Sequence, residues 1–386
     1  MQVTIPHYYP GFHCIADHCS DTCCAGWAIM IDDASMKKYR AQTDLLGRKL
    51  LNGIDWKKGC FKQSHGRCAF LNEMNLCDMY TDGGPSMLCK TCREYPRHTE
   101  EYEGVRELSL SMSCEEAARL ILGLKEPVRF LTKEDDREET YPEFDFFLYS
   151  KLMDVREEIF SLLQNRNREI SLRAAMILGL GHDLQKRIRD GKLYQTEELI
   201  VRYRQAGCEE FFRMKSREYT APHGERYIRM NNWFSLFDKL EVLSQEWPAY
   251  IGELKILLFE QGPDQYGKKR EEFYEYIETV PERKREWSQW LEQLLVYFVY
   301  TYFCGAVYDE HPYVKVKMAV ICTILIEELA LAIYIKHPGC LSFDDFARLV
   351  HRFSREIEHS DVNLNTLENS FRTEEAYGLK EILRVL

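Results

Sequence analysis

The chain lacks a basic tract. Its 51 lysines and arginines are dispersed among 62 aspartates and glutamates, for a formal net charge of −11, so nucleic acid is not an expected partner. An acidic surface suits a lysine-bearing protein substrate or a cationic small molecule, and equally serves solubility. An export signal is missing as well: MQVTIPHYYPGFHC has neither a basic start nor an apolar core, which points to the reducing cytoplasm. The longest apolar run, Met318 to Ile335, is interrupted by adjacent Glu327 and Glu328 and therefore predicts a buried helix and no membrane span. Nor is there a Gly-rich nucleotide loop. Ile177-Leu178-Gly179-Leu180-Gly181 continues a helical pattern from near Ile170 without parallel-strand signals, so these glycines are assigned to helix packing or termination. The chain also has no Ser/His/Asp nucleophile signature, no phosphate loop and no recurring period of 20 to 50 residues.

What the chain has is cysteine in one place. Ten of fourteen lie in the first 114 residues, where proportionate scatter would put about four. Cys14-x4-Cys19-x3-Cys23-Cys24 is followed by Cys68-x8-Cys77-x11-Cys89-x2-Cys92 and Cys114, two sulfur-rich patches that meet if residues 25–67 loop out. Such patches suit soft, thiolate-binding ions. Zinc knuckles favour paired Cys-x2-Cys, and only Cys89-x2-Cys92 fits. The adjacent Cys23 and Cys24 are awkward for one tetrahedral zinc, so iron–sulfur ligation suits the irregular spacing better. The Cys-x3-Cys-x2-Cys radical signature is not completed, since Gly26 stands where its third cysteine would be.

The expected architecture is mainly α. Residues 1–123 form a small irregular cysteine-rich metal-binding domain, with short helices at Asp32–Tyr39 and Glu115–Leu122. A short β-hairpin there pairs Val105–Met112 with Thr99–Tyr102 across Glu103-Gly104. Residues 124–145, with two prolines and a charge run, read as a linker. Residues 146–386 read as a larger all-helical domain, with helices at Phe146–Leu163, Ile170–Arg187, Trp247–Phe259, Trp287–Tyr302, Val316–Ile335 and Phe343–Glu358, the last capped by Ser342-Phe343-Asp344-Asp345. The aromatic stripe Trp287, Trp290, Tyr297, Tyr300, Tyr302 and Phe303 is assigned to core packing, although such rings can also cage a cation.

These residues resemble the flagellin lysine-N-methylases of the FliB type, which overlap a broader class of zinc- or iron-chelating cysteine-cluster domains. The resemblance rests on Cys14, Cys19-Ser-Asp-Thr-Cys23-Cys24-Ala-Gly26-Trp27, Ile31-Asp32, Cys68-Ala-Phe70-Leu71 and Leu76-Cys77-Asp-Met-Tyr80. It continues through Cys92-Arg93-Glu-Tyr95-Pro96-Arg97 and Ser109 to Leu120, and then Tyr302-Phe303, Tyr308-Asp309 and Ser354-Arg355-Glu356-Ile357-Glu358-His359-Ser360-Asp361. It implies a [4Fe–4S] cluster and methyl transfer from S-adenosylmethionine to lysine side chains of flagellin. The implied metal ligands are Cys14, Cys19, Cys23, Cys24, Cys68, Cys77, Cys92 and Cys114, with Trp27, Arg93, Tyr95 and Arg97 near the cofactor. Eight cysteines exceed the four that one cubane uses, which leaves a second centre or a structural role open for the rest.

On the Phe343–Glu358 helix, Phe346, Leu349, Val350, Phe353 and Ile357 form the apolar face, and Arg352, Glu356 and His359 an adjacent stripe. Read by spacing alone, this is an amphipathic helix with an Arg–Glu pair and a C-terminal histidine favoured by the helix dipole. Lysine methylation needs an uncharged amine, so the resemblance nominates Glu356, Glu358, His359, Tyr308 and Asp309 to attract the ammonium or accept its proton. Two other classes compete: a non-enzymatic metal-stapled adaptor, and a cysteine-based redox sensor or metal carrier.

Overall fold

The computed structural model describes residues 2–102, 104–134, 136 and 144–386. The expected hairpin is present, with Arg97–Tyr102 antiparallel to Val105–Leu110. It is one half of a larger sheet, because Gln2–Pro6 lies parallel to Val105–Leu110 and antiparallel to Phe130–Glu134. These two added strands escape pattern reading for physical reasons. One is five residues ending in proline, and the other falls in a polar, charged stretch whose side chains are mostly exposed. Phe130–Glu134 belongs to the segment expected to connect the two regions. Residues 135 and 137–143 of that segment lie outside the described residues.

Two apolar clusters organise the chain. The larger joins Tyr8, Phe12, Tyr102 and Leu110 to the helices from Leu148 onward, so the sheet is built onto the helical body. The smaller is confined to Ile29–Cys89 and includes Tyr39, Leu50, Phe61, Phe70, Cys68 and Cys89. Short helices at Asp33–Arg40 and Leu45–Gly53 frame it, each started by an aspartate side chain accepting a backbone N–H.

The helical periodicity translates closely into helices at Phe146–Leu163, Trp247–Phe259 and Phe343–Glu358, with Ile170–Arg189 and Pro281–Tyr302 extending further than expected. Ser342 and Asp345 form the capping box anticipated at the last of these. Pro312–Lys336 is the central helix, packed against Ile170–Arg189, Pro281–Tyr302 and Trp247–Phe259. It is long and apolar enough to cross a bilayer, yet 83% of its apolar window is buried inside the protein. Its two carboxylates are absorbed internally: Glu328 pairs with Arg226 and Tyr266, and Glu327 accepts the Tyr274 hydroxyl. The aromatic stripe is core, as anticipated: Trp287, Tyr297, Tyr300 and Phe303 are buried, and Trp290 stacks on Phe346. Gly179 serves close helix packing, because a Cβ there would meet the Phe212 ring at 2.2 Å.

Candidate functional site at the seam

The Phe343–Glu358 helix presents one face to the body and another to the cysteine-bearing loop. His351 and Arg355, one turn apart, converge on Asp21. The Asp21 carboxylate lies 2.9 Å from His351 Nε2 and 2.5 Å from Arg355 Nη1. Arg355 also donates to the Asp21 carbonyl at 3.2 Å, the Thr22 carbonyl at 3.0 Å and the Ala25 carbonyl. Burial works against the Asp21 charge, but the His351 hydrogen bond and the Arg355 guanidinium hold its carboxyl below the ordinary value. Gly26 closes this contact. Its φ is +83°, and a Cβ there would stand 3.3 Å from the guanidinium.

Arg352 does not pair with Glu356 as the spacing suggested. It lies 5.0 Å from the Tyr250 ring centroid, while the buried Glu356 carboxylate accepts the backbone N–H groups of Leu243 and Ser244 at 3.0 and 2.6 Å. Burial leads in raising the Glu356 pKa. Glu358 turns inward, where one of its oxygens accepts hydroxyls from Tyr297 and, at 2.8 Å, from Ser111. Burial raises its pKa too. His359 sits between Trp27 and Tyr95, with ring centroids 4.7 and 5.7 Å away. Both its ring nitrogens are buried without a hydrogen-bond partner among the described residues. Burial, reinforced by Arg355 and His351, drives its pKa down to about 3, so it is a neutral imidazole at physiological pH.

A cleft of about 970 Å³ opens along this seam, the size range of small-molecule sites. Asp21, Gly26 and Trp27 line one wall, Trp247 and Tyr250 a second, and His351, Arg352, Arg355 and Glu356 the floor. Cys60, which falls outside the family pattern, also lines it.

The thiols gather in two places. Cys24 hydrogen-bonds both Cys23 and Cys77, Cys89 pairs with Cys92, and Cys68 lies within electrostatic reach of Cys77 and Cys89. Apart from these, Cys14, Cys19 and Cys114 influence one another. The Cys23 hydrogen bond pushes Cys24 up to about 12, and burial pushes Cys68 and Cys114 up to about 11. The shared Cys89–Cys92 hydrogen bond favours ionisation of Cys89 and holds the proton on Cys92. All these cysteines are free thiols. The donor set therefore fits a thiolate-bound group in kind, although among the described residues no three donors converge closely enough for one metal ion.

The other nominated residues are placed elsewhere. Arg97 lies over the Tyr9 and Phe12 rings, and neither it nor the exposed Arg93 lines the cleft. The Tyr308 hydroxyl donates to the Glu101 carbonyl at 3.1 Å, and Asp309 pairs with Lys315 at 3.2 Å, so both belong to the hairpin end of the body. Trp27, Tyr95 and His359 are brought together; of the nominated residues Trp27 and Glu356 line the cleft, while Tyr95, Glu358 and His359 lie behind it. Asp21, Ser111, Ser113, His351 and Tyr297 join them without having been singled out, and the His351–Arg355 four-residue spacing was the one sequence signal available.

Fold and site define a mainly helical protein whose thiol-rich cap closes over a buried imidazole and carboxylate. The family model of the FliB lysine N-methylase C-terminal domain matches residues 156–385, and the chain belongs to the FliB lysine N-methylase family. It is 33% identical over 131 residues to the flagellar biosynthetic protein FliU of Salmonella muenchen, covering 32% of this chain and 78% of that protein. It is 32% identical over 131 residues to the lysine-N-methylases of Salmonella typhimurium and Salmonella choleraesuis, covering 32% of this chain and 33% of each. The matched segment thus spans a third of those two methylases. No solved structure matches the fold.

Proposed function

We propose that this chain is a protein lysine N-methyltransferase that moves methyl groups from S-adenosylmethionine to lysine side chains of flagellin in the cytoplasm. We further propose that it works with a [4Fe–4S] cluster held by its N-terminal cysteines. The observation that carries the reading is the seam cleft, where the cysteine-bearing loop meets the helix at the end of the matched family domain.

A free lysine, with a pKa near 10.4, is almost wholly protonated at neutral pH, so the site must take a proton before the amine can attack the sulfonium methyl. The chain's residues suit that task. His359 is held neutral by burial, reinforced by Arg355 and His351, so its imidazole adds no positive charge beside the incoming ammonium. The Trp27 and Tyr95 rings flank this position and supply faces for an ammonium or a sulfonium. Glu356, whose oxygens are engaged by Leu243 and Ser244, fixes the loop that forms the far wall. Cys24, Cys68, Cys77 and Cys92 would hold the cluster, with Cys23 beside them and Cys14, Cys19 and Cys114 in a separate group. An iron left without a cysteine ligand would bind the amino and carboxylate groups of the methyl donor, whereas a cluster with all four irons cysteine-bound would only organise the site.

Incubating anaerobically purified, iron-replete protein with labelled S-adenosylmethionine and flagellin tests this. Label is expected on lysine. Failure to bind S-adenosylmethionine, or label on any other residue type, contradicts the assignment.

A further inference from the structure

Behind His359 runs an unbroken file of hydroxyls. Tyr95 Oη is 3.2 Å from Ser113 Oγ, Ser113 Oγ is 2.6 Å from Ser111 Oγ, and Ser111 Oγ donates at 2.8 Å to Glu358 Oε2. Tyr297 donates to that same oxygen, and its hydroxyl also accepts the Met112 N–H at 3.2 Å. Ser113 is fully buried and Tyr95 packs against His359 and Trp27, so the file starts at the seam and ends inside the body. Its orientation is fixed from the far end: Ser111 must donate to the carboxylate, which leaves Ser111 to accept from Ser113, and Ser113 from Tyr95. Every member then donates toward Glu358, and the Tyr95 oxygen keeps a lone pair free to accept. The second Glu358 oxygen has no hydrogen-bond partner among the described residues. A buried carboxylate is costly unless something uses it, and packing alone would be served as well by a neutral amide.

We infer that Tyr95, Ser113, Ser111 and Glu358 form a proton relay that carries the proton of the substrate lysine ammonium away from the seam. The inference rests on the methyltransferase reading. In one transfer the ammonium gives its proton to the Tyr95 oxygen as Tyr95 passes its own to Ser113, Ser113 to Ser111, and Ser111 to the Glu358 carboxylate, which becomes a carboxylic acid. The freed amine pair attacks the sulfonium methyl, whose carbon–sulfur bond breaks to leave a neutral thioether, and the product is a methylated ammonium. Glu358 faces Tyr297 and Ser111 by hydrogen bond, Ser354 one turn earlier on its own helix, and His98, Tyr302 and Cys322 by charge. Of these, His98 is half exposed and hydrogen-bonds Glu100 at 2.6 Å.

The test compares wild type, Ser111→Ala, Tyr95→Phe and Glu358→Gln across pH, with thermal unfolding as the folding control. Ser111→Ala and Glu358→Gln should slow methyl transfer about 100-fold near neutral pH. The deficit should shrink as pH rises toward the lysine pKa and the amine no longer needs a base, while S-adenosylmethionine binding is unchanged. Full activity in both variants, or a loss of equal size at every pH, overturns the relay while the methyltransferase reading stands. An infrared titration needs no turnover. The carboxyl band absent in Glu358→Gln should shift in Tyr95→Phe, which touches Glu358 only through the two serines, and an unmoved band refutes a connected file. If wild type labels no lysine, the methyltransferase reading falls, and the infrared result still decides whether the file is continuous.

Discussion

The stretch from Ile29 to Cys92 and the helical body bury their side chains by different means. In the first, a small cluster around Tyr39, Leu50, Phe61 and Phe70 includes Cys68 and Cys89 among its members and is laced by two-residue strands and tight turns. In the second, a continuous apolar core surrounds closed ionic knots such as Glu292, which Arg166 and Arg173 grip at 2.8 and 2.5 Å. The Glu292 knot is closed wholly within the body. The cysteine-bearing region instead sends backbone carbonyls of residues 21, 22 and 25 to Arg355 on the body. The candidate site lies where these two parts meet.

The contrast breaks most visibly at Glu292. Glu292→Ala leaves the buried Arg173 guanidinium without its counter-charge and releases the part-exposed Arg166, and the expected loss is about 3–5 kcal/mol of body stability, read by thermal or denaturant unfolding. A loss below about 1 kcal/mol would mean that the knot is not structural. Arg355→Ala should act on the other side of the comparison. Removing its charge-assisted hydrogen bonds is expected to cost about 2–3 kcal/mol of docking, seen as faster amide exchange confined to residues 21–28. Gly26→Ala sharpens the same point at about 1–2 kcal/mol, because its φ is left-handed and its Cβ would crowd Arg355. Ser342→Ala removes a cap from the helix that carries the site and should cost about 1 kcal/mol. The mildest perturbation is acid. Asp21 has a depressed folded pKa, so its contribution is fully present above the ordinary value of 3.8 and is lost as pH falls through the folded value. Exchange over residues 21–28 should rise there in wild type, and should be insensitive to that window in Asp21→Asn.

The helices carrying strong three-and-four spacing were legible with their ends, since Asp145 and Ser342 cap the helices they precede. The helices at Thr196–Arg204, Ala206–Tyr219, His223–Phe234 and Gly262–Thr279 were legible only as generally helical sequence, because their polar composition blurs the periodicity. The motif around Ser354–Asp361 falls at the helix end that meets the cysteine-bearing loop. Its partners were beyond reach of local pattern: Asp21 meets His351 across 330 residues, and Ser111 meets Glu358 across 247. Tyr308 and Asp309 show the converse, since a recognisable motif is placed by the hairpin away from the seam. The cysteine spacing foretold gathering, and the fold decides which thiols are neighbours, placing Cys89 against Cys92 and setting Cys14, Cys19 and Cys114 apart.

The most direct test of the seam as the site of chemistry is transfer of labelled methyl groups from S-adenosylmethionine to flagellin lysines by Arg355→Ala, measured beside wild type on protein whose helical body unfolds at the same temperature. The seam account predicts that label is lost with the docking of residues 21–28. Label entering lysine at the wild-type rate would contradict it.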